Sequence, residues 1–289
     1  FGAGHHDPTQ DGWTLQGFEV GSSLRLDEWF EAFGVYHLYQ EAATRDWDGD
    51  LEEAFGKIKN LPAGFELRGG KYLNRFGQHN SVHLHGWDFI DNSLVNGRFL
   101  GDDGLTTLGG EVSWNLPVSW TSVLSVSVGE VQAHEHSHGH SHEEEAHGEH
   151  EHFHYEAEDA LFDSTLTTAN WTNQFHYSDF HQFQFGLSGA WGDNRMGRDS
   201  QVYGAHVEYL WRENGFEAGG SYFRWRTEVM WRSFDFYAEH EPEEEHHEGE
   251  EHHEGEEHEH DEGHIHQGSE SEVGLYTALT YGLGNGLEF

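Results

Sequence analysis

A formal charge of −40 on 289 residues makes nucleic acid an unfavourable partner, because the phosphate backbone would be repelled, while cations would be drawn to the surface. The chain has no cysteine, which excludes disulfides and thiolate metal sites, and no apolar stretch long enough for a bilayer-spanning helix. Only 35% of its residues are apolar although 15% are aromatic, an unusual ratio for a water-soluble core.

Taken in chain order, the predicted elements are strands. Weak period-two alternation marks 14–26, 30–42, 51–60, 64–77 and 108–116. It sharpens where Leu124, Val126 and Val128 alternate with Ser125, Ser127 and Gly129, and a further strand is expected over 165–177. Phe183, Phe185, Leu187 and Trp191 then alternate with Gln182, Gln184 and Ser188. Over 201–212, Tyr203, Val207, Tyr209 and Trp211 share one face. Over 215–232, Phe223, Trp225, Val229 and Trp231 oppose Arg224, Arg226, Glu228 and Arg232. A last strand is expected over 271–283, giving about eleven, several near the ~9–11 residues a tilted membrane strand requires.

The connections alternate as well. Short turns are expected at 27–29, 61–64, 117–119, 178–179, 213–215 and 284–286, and long connections at 43–50, 78–107, 133–158, 192–200 and 233–268. Short and long in turn is the pattern of an all-β, antiparallel, up-and-down transmembrane barrel, with turns on one side and long extracellular loops on the other. A soluble β-sandwich is the competing fold, but its outward rows of Trp, Tyr and Phe would aggregate in water. In this topology 1–12 starts outside and 287–289 opens another strand. The single domain 1–289 is expected to be cut at both ends and the complete barrel to hold at least twelve strands, the competing reading being that Phe289, after Leu287, Leu283 and Tyr281, is a genuine barrel C-terminus.

Two of the long connections hold histidine and acid tracts. The first, 133–154, contains His134, His136, His138, His140, His142, His147, His150, His152 and His154. The second, 239–267, contains His240, His246, His247, His252, His253, His258, His260, His264 and His266, with HHEGEE in tandem at 246–251 and 252–257. Neither tract has a Lys or Arg, and together they hold 18 of the chain's 27 His. Imidazole and carboxylate suit borderline divalent cations, zinc first. With almost nothing apolar to bury, and with scattered Gly, both connections are expected to be disordered loops binding metal loosely and multiply. A purely solubilising loop is the alternative, though it has no need of 18 His.

The motifs LEEAF (51–55), LPAGFELRGGK (61–71), RFG (75–77), the His83–Leu84–His85 pair with Trp87–Asp88–Phe89, and FLGDDGL (99–105) resemble the porin-like bacterial outer-membrane proteins known as zinc-regulated outer-membrane receptors. The likeness covers about a fifth of the chain. It implies a Gram-negative outer-membrane barrel associated with zinc supply, in contact with membrane lipid and with a periplasmic zinc carrier as one candidate partner. Some members carry the name TonB-dependent receptor. This chain has neither a plug domain nor the length of a barrel of about 22 strands.

Further candidate sites lie off the tracts. His79, His83 and His85, close to Asp88 and Asp91, would form a pore-relay metal site if their segment folds into the lumen; an ordinary loop or an aromatic cluster around Trp87 and Phe89 is the competing reading. His5 and His6 beside Asp7 make a smaller outer patch. Alternation nominates Glu19, Arg25, Glu66, Arg68, Glu111, His206, Glu208, Arg224, Arg226 and Glu228 for the lumen, as a field across a pore or as salt-bridge ladders between neighbouring strands. No nucleophile elbow, phosphate loop or HExxH is present, so no catalytic residue is expected and the chain is read as a non-enzyme. The expected function is a channel that collects divalent metal, zinc foremost, on its outer loops and passes it towards the periplasm. The alternatives are a surface buffering protein whose barrel is only an anchor, and a TonB-dependent-type zinc receptor.

Overall fold

A computed structural model describes residues 17–40, 46–83, 86–87, 92–132, 157–239 and 265–284. Eleven strands form one sheet in strict chain order, each antiparallel to the next. They are β1 (Gly17–Leu26), β2 (Phe30–Gln40), β3 (Trp47–Ile58), β4 (Phe65–Leu73), β5 (Thr106–Asn115), β6 (Thr121–Val131), β7 (Thr165–Ser178), β8 (His181–Asp193), β9 (Asp199–Arg212), β10 (Tyr222–Glu239) and β11 (Ile265–Gly282). β1 and β11 are the sheet's two edges, and among the described residues they do not pair. Among the described residues one α-helix, α1 (Leu94–Leu100), interrupts the pattern.

The sheet buries polar groups and exposes apolar ones. Along β6, Leu124, Val126 and Val128 are exposed while Ser125 and Ser127 are buried; along β10, Trp225 and Trp231 are exposed while Glu228 and Arg232 have no accessible surface. Val273, Leu275 and Leu279 of β11 are each more than 60% exposed. Period-two alternation produces this arrangement wherever the apolar set faces away from the protein.

The buried face is filled by the segment 74–105, which folds back onto it. Asn74 donates to Thr107 and Ser127 and accepts from Thr168, reaching β5, β6 and β7. The amide of Gly77 donates to Ser188 Oγ of β8 at 2.8 Å. Phe76 occupies the space above Gly204 of β9, and Val95 and Phe99 of α1 occupy that above Gly274 of β11; a Cβ at either glycine would meet these side chains at 3.0 Å or less. A single segment can touch so many strands only because the sheet curls around it. Phe76, Phe99, Leu100 and Leu105 form a small apolar cluster there with Leu166, Val202 and Met230.

Several expected boundaries move. Strand pairing extends β3 back to Trp47 and carries β8 and β9 to Asp193 and Asp199, so the connections foreseen at 43–50 and 192–200 shrink to 41–46 and 194–198. The turn foreseen at 213–215 runs to 221, because Gly215, Gly219 and Gly220 all adopt positive φ and delay β10. The loop foreseen from 233 to 268 is limited to 240–264. Phe234 and Phe236 keep β10 in register by packing inward with Ala160, and β11 has already begun at Ile265. The loop foreseen as 133–158 ends in a short 3-10 turn, Ala157–Ala160. The three long connections that remain, 74–105, 132–164 and 240–264, all leave the same end of the sheet.

Candidate functional site

The inner segment is held at two ends by different chemistry. At the α1 end, Ser93 caps the helix by accepting from the Asn96 amide. Arg98 then makes two bonds to Glu272 of β11, at 2.6 and 3.1 Å. Arg232 of β10 donates to the same carboxylate at 2.9 Å and to the Arg98 carbonyl at 3.1 Å. Two guanidinium groups share one acid, so the charge is more than balanced. In between, Tyr276 donates to buried Glu228 at 2.9 Å. Gly77, at φ 62°, crosses directly above that carboxylate, where a Cβ would collide with Oε1.

At the other end, imidazole meets carboxylate. A β-bulge in β3 creates this site. Val35 of β2 pairs with Glu53 and Tyr36 pairs with Leu51, so Glu52 is the extra residue without a partner. Asp50, opposite His37, precedes the bulge, and Lys57 follows it and forms an ion pair on the inner face with Glu66 of β4. Even-numbered residues face inward before the bulge and odd-numbered ones after it, so the consecutive acids Glu52 and Glu53 both point inward.

Both of these acids reach His83. Its Nε2 bonds Glu53 Oε2 at 2.9 Å, while Nδ1 lies 3.2 Å from Glu52 Oε2. The other Glu53 oxygen accepts from the Leu73 amide at 2.8 Å, which fixes that carboxylate. His37 of β2 stands 3.6 Å from Glu52 Oε1. Glu19 of β1, the cross-strand partner of His37, completes the group, and the ligand atoms of Glu19, Glu52 and His83 all lie within 4.8 Å of one another. The Glu52 carboxylate beside Nδ1, and then the Glu53 carboxylate, raise His83 to about 10 against the opposing effect of burial.

The nominated lumen residues are largely paired with neighbouring strands. Arg68 binds Glu111 at 2.7 Å, Arg226 binds Glu208 at 3.0 Å, and Lys57 binds Glu66 at 2.6 Å. Arg68 also lies over the Tyr72 ring, and Arg75 of the inner segment reaches Glu111 at 3.3 Å. His206 is buried, and neither ring nitrogen has a hydrogen-bond partner among the described residues. Arg224 is half-buried on the inner row of β10. Arg25, by contrast, is exposed and touches only the rim at Glu31.

Of the relay histidines, His83 joins the acidic cluster, whereas His79 is buried elsewhere. It bonds Asn92 at 2.9 Å and packs against Trp87 and Tyr276, while Phe89 lies outside the described residues. His85 and Asp88 lie outside the described residues, as do the patch at His5 and His6 and every tract histidine except His266, which stands in β11. Sequence reasoning missed Glu52 and Glu53 as site residues; the paired acids in LEEAF were the available signal. It also missed α1, although Ser93 and Gly101 are ordinary start and stop signals.

An uncharacterised protein of Aquifex aeolicus (strain VF5) is 32% identical over 117 residues, a stretch that makes up 40% of this chain and 24% of that relative. No protein-family model and no solved structure matches the sequence. What the protein does is therefore argued from the chemistry of its own inner face.

Proposed function

We propose that the sheet closes into an outer-membrane β-barrel of at least twelve strands that admits divalent cations, zinc first, through a polar lumen narrowed by the segment 74–105. The observation that carries this reading is the inverted burial. Rows of Trp, Leu and Val face outward, while Ser, Asn, Glu and Arg line the interior, an arrangement suited to lipid outside and water within. In water the same surface would be a contiguous apolar patch far larger than a soluble monomer tolerates.

The charge of −40 attracts cations to such a mouth. The tracts, which fall between β6 and β7 and between β10 and β11 in the sequence, would raise the local metal concentration. Their affinity should fall as pH drops through roughly 6.5, because a protonated imidazole cannot coordinate. Conductance in planar bilayers tests the reading. Cation-selective current that zinc carries or blocks is expected, and a silent barrel would instead favour a surface metal buffer in which the barrel is only an anchor.

A further inference from the structure

We propose that Glu19, Glu52 and His83 form one defined, exchangeable site for a borderline divalent cation of the zinc class, with Glu53 as the carboxylate that orients His83. The inference rests on reading the inner face as a lumen open to cations and adds to it a fixed station on the wall, distinct from the many loose sites of the tracts.

Several observations converge on it. The three donor atoms lie within 4.8 Å of one another. Zinc bonds of about 2.0–2.2 Å can join them after side-chain movements of less than about an ångström. The second sphere is also in place: a metal-binding imidazole donates its other ring N–H to a carboxylate that is itself held, and Glu53 plays this part towards Nε2 while anchored by the Leu73 amide. Nδ1 is left facing Glu52.

Charge balance points the same way. Among the described residues, Glu52 and Glu53 are paired with imidazole and backbone groups alone, and no Lys or Arg neutralises them. Glu52 Oε2 is shut off from solvent yet makes no aligned hydrogen bond there. The one group facing it, His83 Nδ1 at 3.2 Å, is out of alignment, so burial of the charge is only partly offset, and a cation shared with Nδ1 and Glu19 would offset it further. Three protein ligands leave a coordination position open for water, as in exchangeable rather than closed structural sites. His37, beyond Glu52, can orient that ligand or supply the fourth. Because the donors come from β1, β3 and the inner segment, a bound ion would also fasten 74–83 to the wall.

Hydrogen exchange on the full chain in detergent separates this site from the tracts by position. Zinc, compared with chelator, should slow exchange in 77–83, and Glu52→Gln and Glu19→Gln should each shift the zinc concentration for half-protection upward at least tenfold. The response of the tract peptides should be unchanged. Glu19→Gln lies on the edge strand β1, outside the bulge, and so reports on the site even if Glu52→Gln disturbs folding. Unaltered exchange in 77–83 on adding zinc to the unsubstituted protein, or protection undiminished in both variants, overturns the proposal. Conductance plays no part in this readout, so a silent barrel would sink the channel reading while leaving the metal site standing.

Discussion

The two anchorages of the inner segment use the same acid and opposite bases. At β10 and β11, Arg98 and Arg232 converge on Glu272, with Arg232 wholly buried. At β1–β3, Glu52 and Glu53 converge on His83. Guanidinium is permanently charged and cannot bind a metal, so the first anchorage is a closed structural lock. Imidazole can exchange its proton for a metal ion, so the second can be opened and refilled. One end of the segment is built to stay put, and the other to respond.

The comparison can be broken most forcefully at its rigid end. Arg232→Ala leaves Glu272 with one partly exposed partner and empties a buried position. A loss of about 3–5 kcal/mol is expected, read as a lowered midpoint in denaturant titration in detergent. An unchanged midpoint would mean that this anchorage is not structural. Gly77→Ala acts between the two anchorages. It forces a Cβ onto Glu228 and a side chain into positive φ, for about 1–3 kcal/mol, and it should loosen 74–83 in hydrogen exchange while the strands stay protected.

The responsive end should show itself in metal binding and in pH dependence. Glu53→Gln should weaken zinc binding at the site by about 10–100-fold with little effect on the fold. With metal chelated, the raised pKa of His83 stabilises the folded state fully below its ordinary value of 6.5, and that contribution is lost as pH rises through about 10. The protection of 79–83, after correction for the base-catalysed rise in intrinsic exchange, should therefore fall at alkaline pH in the unsubstituted protein and not in His83→Gln. The smallest effect is expected at the rim, where Arg25 is 73% exposed against Glu31. Arg25→Ala should cost less than about 0.5 kcal/mol, and a larger loss would mean that exposed pairs matter as much as buried ones.

Strand number and the two faces were legible in the sequence because alternation is a local property. Trp225 and Trp231 against Glu228 and Arg232 can be assigned without knowing any neighbouring strand. The anchorages were not legible, because their partners lie far apart in the chain: Arg98 meets Glu272 across 174 positions and Gly77 meets Ser188 across 111. His79 and His83 looked equivalent in sequence, yet one faces Asn92 and Trp87 while the other faces two carboxylates. The difference comes from the bulge, which breaks the periodicity that sequence reading depends on.

That bulge gives β3 the properties of a reading frame. Substituting Glu52 alters one side chain, and removing it would leave Leu51 and Glu53 adjacent and still opposite Tyr36 and Val35, so that the strand alternates without a break. A residue removed after the bulge instead, such as Ala54, would turn over the remainder of the strand, severing Lys57 from Glu66 and setting a cation among the outward apolar rows. The strand should therefore tolerate the loss of Glu52 as a fold, losing only the cation site, and no single deletion further along. A compensating insertion beyond such a deletion should partly restore it, as a second shift rescues a frame.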